Sequence, residues 1–481
     1  MAAFIPAFGG CRRPLPVFRA DFFCMTLCVS FMGFKMTILP LKPEPKSGVK
    51  PIRQPSDSTV LTNSSRRTAA ISAQTIKILV YSHDTFGLGN IRRMIAICEY
   101  LKTHVPGLSV LLLTGSPMHH SFRLVEGIDY VKLPCIKRDL TGSIGVKYLN
   151  LNTESTLRLR QELIRSTVTN FTPDVFIVDK KPGGVGGELE ESLKALKSES
   201  PGTSIVLLLR DILDDADATI EQWRRQRAYE LIEDYYDRIL VVGLPELYDV
   251  REEYQFPLAL RAKVDFCGYL RREPGAGNRD ALRRELNVTR SDRMVLVTTG
   301  GGEDGYSLLL TYLQGLARYG RLASWKSVVV TGPELAEAHQ CEIRQLMDRC
   351  PHTHVIEFTD QMMNFLQCAD VVVSMGGYNT ICEILSLRKR AVIVPRVQPV
   401  QEQRIRAERM SRLGLFKTIH PAEMTEDILM GAVMAEVEAI QTCPLAPASL
   451  DLDALPRISS VIQDLVGQPK AYKERTRSMG R

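Results

Sequence analysis

The chain is 481 residues long, 44% hydrophobic and 24% charged, which suits two or three packed domains and excludes a disordered protein. Its formal charge of +6 hints at polyanions, but residues 1–75 hold 10 Lys+Arg against 3 Asp+Glu and the remainder 51 against 52. The body is therefore near neutral and argues against nucleic acid as a partner.

The basic N-terminal stretch contains a 13-residue apolar run at 22–34, short for a membrane span. Arg12, Arg13 and Arg19 precede it, as in an export signal, but no small-residue cleavage site follows. From Leu41 to Gln74 the chain is rich in Pro, Ser, Thr, Lys and Arg and reads as linker, so 1–75 is expected to be a disordered or targeting-like tail. Eleven cysteines without a CxxC pair suit a reduced, cytoplasmic chain. Eight histidines without HExxH give no expectation of a metal site.

At Ile76 the texture changes. Short apolar runs at Ile76–Ser82, Leu108–Thr114, Tyr130–Leu133, Val175–Val178, Ile205–Leu209 and Arg238–Val242 predict strands. Helical patterns at Ile91–Lys102, Thr153–Asn170, Glu188–Lys197 and Ile220–Tyr235 separate most of them. After a charged, Gly/Pro-containing stretch, Arg271–Arg293, a second series begins: strands Met294–Thr298, Ser327–Thr331, His354–Phe358, Val371–Ser374 and Ala391–Val394. Its helices are Leu308–Tyr319, Ala336–Arg349, Gln361–Cys368, Asn379–Leu387, Glu402–Leu413 and Thr425–Gln441. Apolar runs alternating with helices imply parallel strands covered on both faces, hence an α/β protein with two doubly wound, Rossmann-like lobes facing a cleft. The expected lobes span 76–270 and 290–445, and 446–481 is a C-terminal segment able to cross back to the first lobe. Ligands in such sheets sit at the carboxyl ends of strands, so the loops there carry the chemistry.

Four loops stand out. In VVVSMGGYNTICE, Gly376 and Gly377 end a strand and a helix opens near Asn379 or Thr380, a place for phosphate; Glu383, one turn in, can accept both hydroxyls of a ribose. In TTGGGEDGY, Gly300, Gly301 and Gly302 can hold an anion or admit a second backbone. In SHDTFGLGNIRR, His83 and Asp84 stand at the sheet edge as candidate general bases, Gly87 and Gly89 shape the turn, and Asn90 can cap the helix. This is neither a Walker loop nor a complete GxGxxG, because Arg92 stands where the third glycine belongs. In VPRVQPVQEQRIRAER, Gln401, Glu402, Gln403 and Arg404 can bond sugar hydroxyls, and Arg404 or Arg406 can neutralise phosphate. DKKPGGVGG and RDILDD end first-lobe strands and can meet an acceptor, with Asp211 as a reserve base.

The segments TTGGGEDG, VIEFTDQMMNFLQCADVVVSMGGYNTICEIL, AVIVPR and PVQEQRIRAERM together resemble the nucleotide-sugar lobe of GT-B glycosyltransferases of family 28. That family includes the N-acetylglucosaminyltransferase of peptidoglycan assembly and plant galactolipid synthases. The chain is also similar to a bacterial group of predicted glycosyltransferases with an HDTFGLGH-type opening loop. The resemblance implies a glycine loop near the donor diphosphate at Gly300–Gly302 and a base-lining region at Phe358. It implies diphosphate binding at the Gly376–Gly377 turn and its helix, ribose binding at Glu383, and donor-sugar contacts from Gln401 and Gln403. Many relatives carry histidine after the second glycine of the opening loop, where this chain has Asn90.

The expected function is metal-independent transfer of a sugar from a nucleotide-sugar, UDP-linked, to an unidentified hydroxyl acceptor, with no cofactor beyond the co-substrate. Hydrolysis or epimerisation of a nucleotide-sugar, and non-catalytic binding of one, remain open as alternatives. The expected location is cytoplasmic, with peripheral membrane association left open.

Overall fold

In the first strand among the described residues, Leu79, Val80 and Tyr81 are consecutive and all buried, which a strand achieves only when both its faces are covered. The computed structural model describes residues 75–82, 89–117, 124–138, 144–302, 304–320, 322–442 and 450–467. The tail expected over 1–75 lies, apart from Thr75, outside the described residues, as do His83, Asp84 and Gly87.

The first lobe is a seven-stranded sheet ordered β3-β2-β1-β6-β7-β8-β9. Its strands are β1 (Ile76–Ser82), β2 (Leu108–Thr114), β3 (Ile128–Lys132), β6 (Val175–Asp179), β7 (Ser204–Arg210), β8 (Arg238–Val242) and β9 (Val264–Phe266). A hairpin, β4 (Ile136–Arg138) with β5 (Ile144–Val146), stands outside the sheet. Seven helices belong to this lobe among the described residues: α1 (Gly89–His104), α2 (Thr153–Phe171), α3 (Glu190–Glu199), α4 (Ala216–Arg225), α5 (Ala228–Tyr235), α6 (Val250–Glu253) and α7 (Leu258–Arg261). All pairings in the sheet are parallel, and the order reverses between β1 and β6, where Tyr81 pairs with Val178.

The second lobe repeats the plan with six parallel strands ordered β12-β11-β10-β13-β14-β15. They are β10 (Arg293–Thr298), β11 (Trp325–Val330), β12 (Thr353–Ile356), β13 (Val371–Ser374), β14 (Arg390–Ile393) and β15 (Lys417–Thr418). Its helices are α8 (Arg279–Glu285), α9 (Tyr306–Tyr319), α10 (Glu337–Met347), α11 (Met362–Cys368), α12 (Tyr378–Ser386), α13 (Glu402–Arg412) and α14 (Glu426–Thr442). Here the order reverses between β10 and β13, where Thr298 pairs with Ser374. A reversal opens a crevice at the carboxyl edge, the general ligand position of such sheets.

Two features, the division of one helix and a helix within 271–293, depart from the sequence expectation. The helix expected over Ile220–Tyr235 is two, because Arg227 takes a left-handed backbone (φ 50°) that lets both Trp223 and Ile232 reach the core. The stretch Arg271–Arg293 contains α8, which packs against α11: buried Arg283 donates to Cys368 O at 2.8 Å. The last helix, α15 (Ala454–Gly467), buries Ala454, Ile458, Ile462 and Leu465, a stripe of helical period, and packs on α1 of the first lobe. Its approach is fixed by backbone pairing of Tyr269 N with Asp451 O (2.8 Å) and Arg271 N with Leu452 O (3.0 Å).

One apolar cluster runs through both lobes, from Ile78 and Val80 through Tyr269 and Tyr378 to Leu296 and Val328. Residues Ile71–Arg481 accordingly group as one compact unit. No helix among the described residues is long and apolar enough to cross a membrane.

Candidate functional site

The crevice between β10 and β13 is walled by the two glycine segments. Gly302 has φ +98° and no room for a side chain: a Cβ there would lie 2.5 Å from Thr331 O and 3.0 Å from Gly332 Cα. The glycine is needed for this backbone contact with the β11 loop, which Thr299 Oγ1 reinforces by donating to Thr331 O at 2.7 Å. Gly301 accepts from Glu334 N at 2.8 Å. Gly300 differs: at φ +73° a Cβ would meet nothing within 4 Å, so this residue of the three borders open space.

On the other wall, Gly377 is the N-cap of α12 and supplies no side-chain cap. The helix therefore opens with backbone N–H groups that no cap side chain engages and with the positive end of its dipole. Thr380 is half-buried in this first turn, while Asn379 and Glu383 lie one turn apart on one buried face. That face meets the first lobe. Asn379 Nδ2 donates to Gly89 O at 2.8 Å, and its Oδ1 accepts from Arg272 Nη2 at 3.1 Å. Glu383, 1% exposed, pairs with Arg92 Nη2 at 2.8 Å. The acid expected at a ribose thus lies on α12 and faces a first-lobe guanidinium. Burial lowers the pKa of Arg272 from its usual value, with the nearby Glu383 charge opposing that.

The segment after β14 closes the floor. Gln403 Oε1 accepts from Arg396 N at 3.1 Å, and its Nε2 would lie 4.0 Å from a Cβ on Gly377, so it joins this segment to the glycine turn. Arg396 reaches Asp304 at 2.9 Å, tying the floor to the glycine loop. Gln401 donates its N–H to Asp214 Oδ1 at 2.8 Å, and its Oε1 receives Arg404 Nε at 2.9 Å. Arg404 also bonds Glu408 at 2.9 Å, so the cation expected at phosphate is folded along its own helix. Phe358 is exposed beyond the end of β12, two strands from β10, which is about 10 Å across the sheet.

Asp211 is not a free base. Arg406 donates to both its oxygens, Nε to Oδ2 at 2.7 Å and Nη2 to Oδ1 at 2.8 Å; Tyr269 OH and Ile212 N add bonds of 2.9 and 2.8 Å. A carboxylate so fully engaged and 1% exposed has neither an open lone pair nor a path for a hydroxyl proton. It is a lobe-to-lobe anchor. Burial opposes the charge on Arg406, but Asp211 outweighs it and raises the Arg406 pKa. Asn90 departs too: it lies inside the first turn of α1, where its Oδ1 accepts from Arg93 Nη2 at 3.3 Å.

Sequence reasoning missed Arg92, Arg272 and Tyr378. Tyr378 is buried between Arg93 and Arg406, whose guanidinium carbons lie 5.8 and 5.6 Å from its ring centre, and it donates to Val242 O at 3.0 Å. Only the repeated basic residues at 92–93 and the GGY spacing signal these roles, and neither names a partner across the cleft.

Comparison with known proteins agrees with this architecture. Residues 295–450 match the glycosyltransferase family 28 C-terminal domain. An uncharacterized glycosyltransferase of Methanopyrus kandleri is 24% identical over 200 residues, 41% of this chain and 53% of that protein. The UDP-N-acetylglucosamine–N-acetylmuramyl-(pentapeptide) pyrophosphoryl-undecaprenol N-acetylglucosamine transferase of Carboxydothermus hydrogenoformans is 24% identical over 206 residues, 41% of this chain and 54% of that one. The chain thus spans about half the length of these curated relatives. Among solved structures, Acinetobacter baumannii MurG superposes with TM-score 0.52 at 14% identity, covering 81% of this chain and 99% of that one. A putative UDP-N-acetylglucosamine 2-epimerase from Listeria monocytogenes gives 0.56 at 12%, covering 81% and 96%. At such identities the likeness is one of fold. The chain thus has the GT-B fold of two Rossmann-like lobes, and its second lobe matches the glycosyltransferase family 28 C-terminal domain.

Proposed function

We propose that the protein is a glycosyltransferase that moves a sugar from a nucleoside diphosphate sugar, UDP-linked, onto a hydroxyl acceptor. The observation that carries this reading is the start of α12: an N-terminus without a side-chain cap at the sheet's reversal point, with buried Glu383 one turn in and Gly300 opening on space across the crevice. The free N–H groups and helix dipole suit a diphosphate, and they stabilise it most as it leaves with both electrons of the broken C1–O bond. Glu383 suits the ribose hydroxyls, Gly376, Gly377, Asn379 and Thr380 the diphosphate, Gln401 and Gln403 the sugar, and Phe358 the base. The acceptor oxygen forms the new bond to C1, and its proton passes to a base; His83 and Asp84, immediately after β1, are the candidates.

The relatives' names support the donor: the Carboxydothermus hydrogenoformans protein is a transferase named for UDP-N-acetylglucosamine. Titration with UDP, GDP, ADP and TDP sugars tests the reading. Selective binding of a UDP sugar, lost in Glu383→Ala, is expected; no binding of any of them would refute it. A second reading, chemistry on the donor without an acceptor, has the fold of the Listeria epimerase in its favour. Free sugar or an epimerised UDP sugar formed without acceptor would favour it.

A further inference from the structure

Two contacts tie α1 to α12, and they come in the same order along both helices: Gly89 O with Asn379 Nδ2 at 2.8 Å, then Arg92 Nη2 with Glu383 Oε1 at 2.8 Å. Steps of three and four residues keep each pair on one helix face. The helices therefore lie side by side with their N-termini at the same end, the end at which the Gly377 turn opens α12 to the crevice. Helical side chains lean towards the N-terminus, so Arg92, one turn into α1, leans towards that shared end. Its neighbour Arg93 is fixed, 1% exposed and bound to Asp179 at 2.6 Å. Arg92 is 33% exposed, and Glu383 is the only hydrogen-bond partner of its guanidinium among the described residues. Glu383 has a second cation beside it, Arg272, which is pinned by its bond to Asn379 Oδ1 at 3.1 Å. The two guanidiniums repel each other across this one acid. A ligand hydroxyl that takes the Glu383 oxygen therefore releases Arg92, the more exposed of the two and the one held by nothing else.

We propose that Arg92 exchanges partners as the donor binds: its bond to Glu383 gives way to the ribose hydroxyls, and the freed guanidinium takes the diphosphate. The inference rests on the sugar-transfer reading and adds to it a first-lobe cation that the donor itself brings into play. One helical turn, about 5.4 Å, separates Glu383 from the first residues of α12, so the guanidinium moves by about that distance along the helix. The phosphate oxygens at the shared helix end are the ligand it suits best, because a guanidinium can pair with them through two parallel hydrogen bonds. A nucleoside without phosphates, by contrast, displaces Arg92 and offers it nothing in return.

The test reads what the phosphates contribute, as the ratio of UDP to uridine affinity in calorimetric titrations of the whole protein. In Arg92→Ala and in Arg92→Gln the ratio is expected to fall about tenfold, the size of one charge-assisted contact. Uridine itself should bind at least as tightly as it does to the wild type, because its ribose no longer competes with a guanidinium. Glu383→Ala should weaken uridine and UDP alike and leave the ratio unchanged. A purely structural role for Arg92 would weaken both ligands together. That result, or an unchanged ratio in both Arg92 variants, would overturn the exchange. UDP binding that needs Glu383 but not Arg92 would leave the sugar-transfer reading standing and the exchange refuted. Binding of neither uridine nor UDP by the wild type would refute that reading, and the exchange with it.

Discussion

Asp211 and Arg406 are joined by two parallel hydrogen bonds of 2.7 and 2.8 Å, though one ends a first-lobe strand and the other lies on a second-lobe helix 195 residues away. Both side chains are 1% exposed. A carboxylate and a guanidinium taken out of water repay that loss only while each has the other.

Removing one partner should therefore cost more than removing both. Asp211→Ala leaves Arg406 buried and uncompensated, and is expected to lower the unfolding free energy by about 3–5 kcal/mol. The pair Asp211→Leu with Arg406→Met should recover much of that. Urea denaturation of the three variants checks this, and equal losses in all of them would show that the ion pair is not the anchor.

On the sugar-transfer reading proposed above, a ribose would compete with Arg92 for the Glu383 carboxylate. Glu383→Ala is expected to weaken UDP binding by about 1.5–3 kcal/mol, the size of a charge-assisted hydrogen bond. Calorimetry with UDP reads this directly, and an unchanged affinity would remove Glu383 from the site.

The glycine loop permits a contrast within three residues. Gly302→Ala places a methyl 2.5 Å from Thr331 O, so the β11 loop must move, and a loss of about 2 kcal/mol or more is expected. Gly300→Ala meets no atom within 4 Å and carries only the left-handed backbone cost of about 1 kcal/mol. Thermal denaturation should rank the two in that order.

Glu402 gives a pH dependence with a definite sign. Burial alone would raise its pKa, but Arg210, then Lys180, Arg406 and Arg396, outweigh that and hold it at about 2 instead of the usual 4.5. A depressed carboxylate stabilises the folded state above its unfolded pKa and stops doing so as pH falls through the folded one. The stability difference between the wild type and Glu402→Gln should thus be full above about pH 5 and shrink from there towards pH 2. A difference constant over that range would rule out the assigned charge environment.

The alternation of strands and helices was legible because buried parallel strands are apolar on both faces, as Leu79–Val80–Tyr81 and Val371–Val372–Val373 are. The glycine segments fell at the reversal points of both sheets for the same reason: strand ends are readable, and β1, β10 and β13 end there. What could not be read was partnership. Arg92 and Glu383 are 291 residues apart, and nothing local to either distinguishes a surface charge from one half of an inter-lobe pair. Asp211 looked like a spare base for that reason. The short strands β9 and β15 carry too few apolar residues to announce themselves, and Arg227 breaks a helix by a backbone choice that its side chain does not advertise.

The helix α15 lies against α1, and Gln463 bonds His104 O across 359 residues of chain. During synthesis, α1 therefore emerges long before its cover exists. At about 5–20 residues per second, the interval is about 20–70 s. Through that time α1, with buried Ile97, Cys98 and Leu101, lacks α15 as its cover, and the first lobe waits for residues 454–467 to be finished. A released chain cut short of residue 454 would expose this apolar face to chaperones, whereas one that carries α15 would cover it.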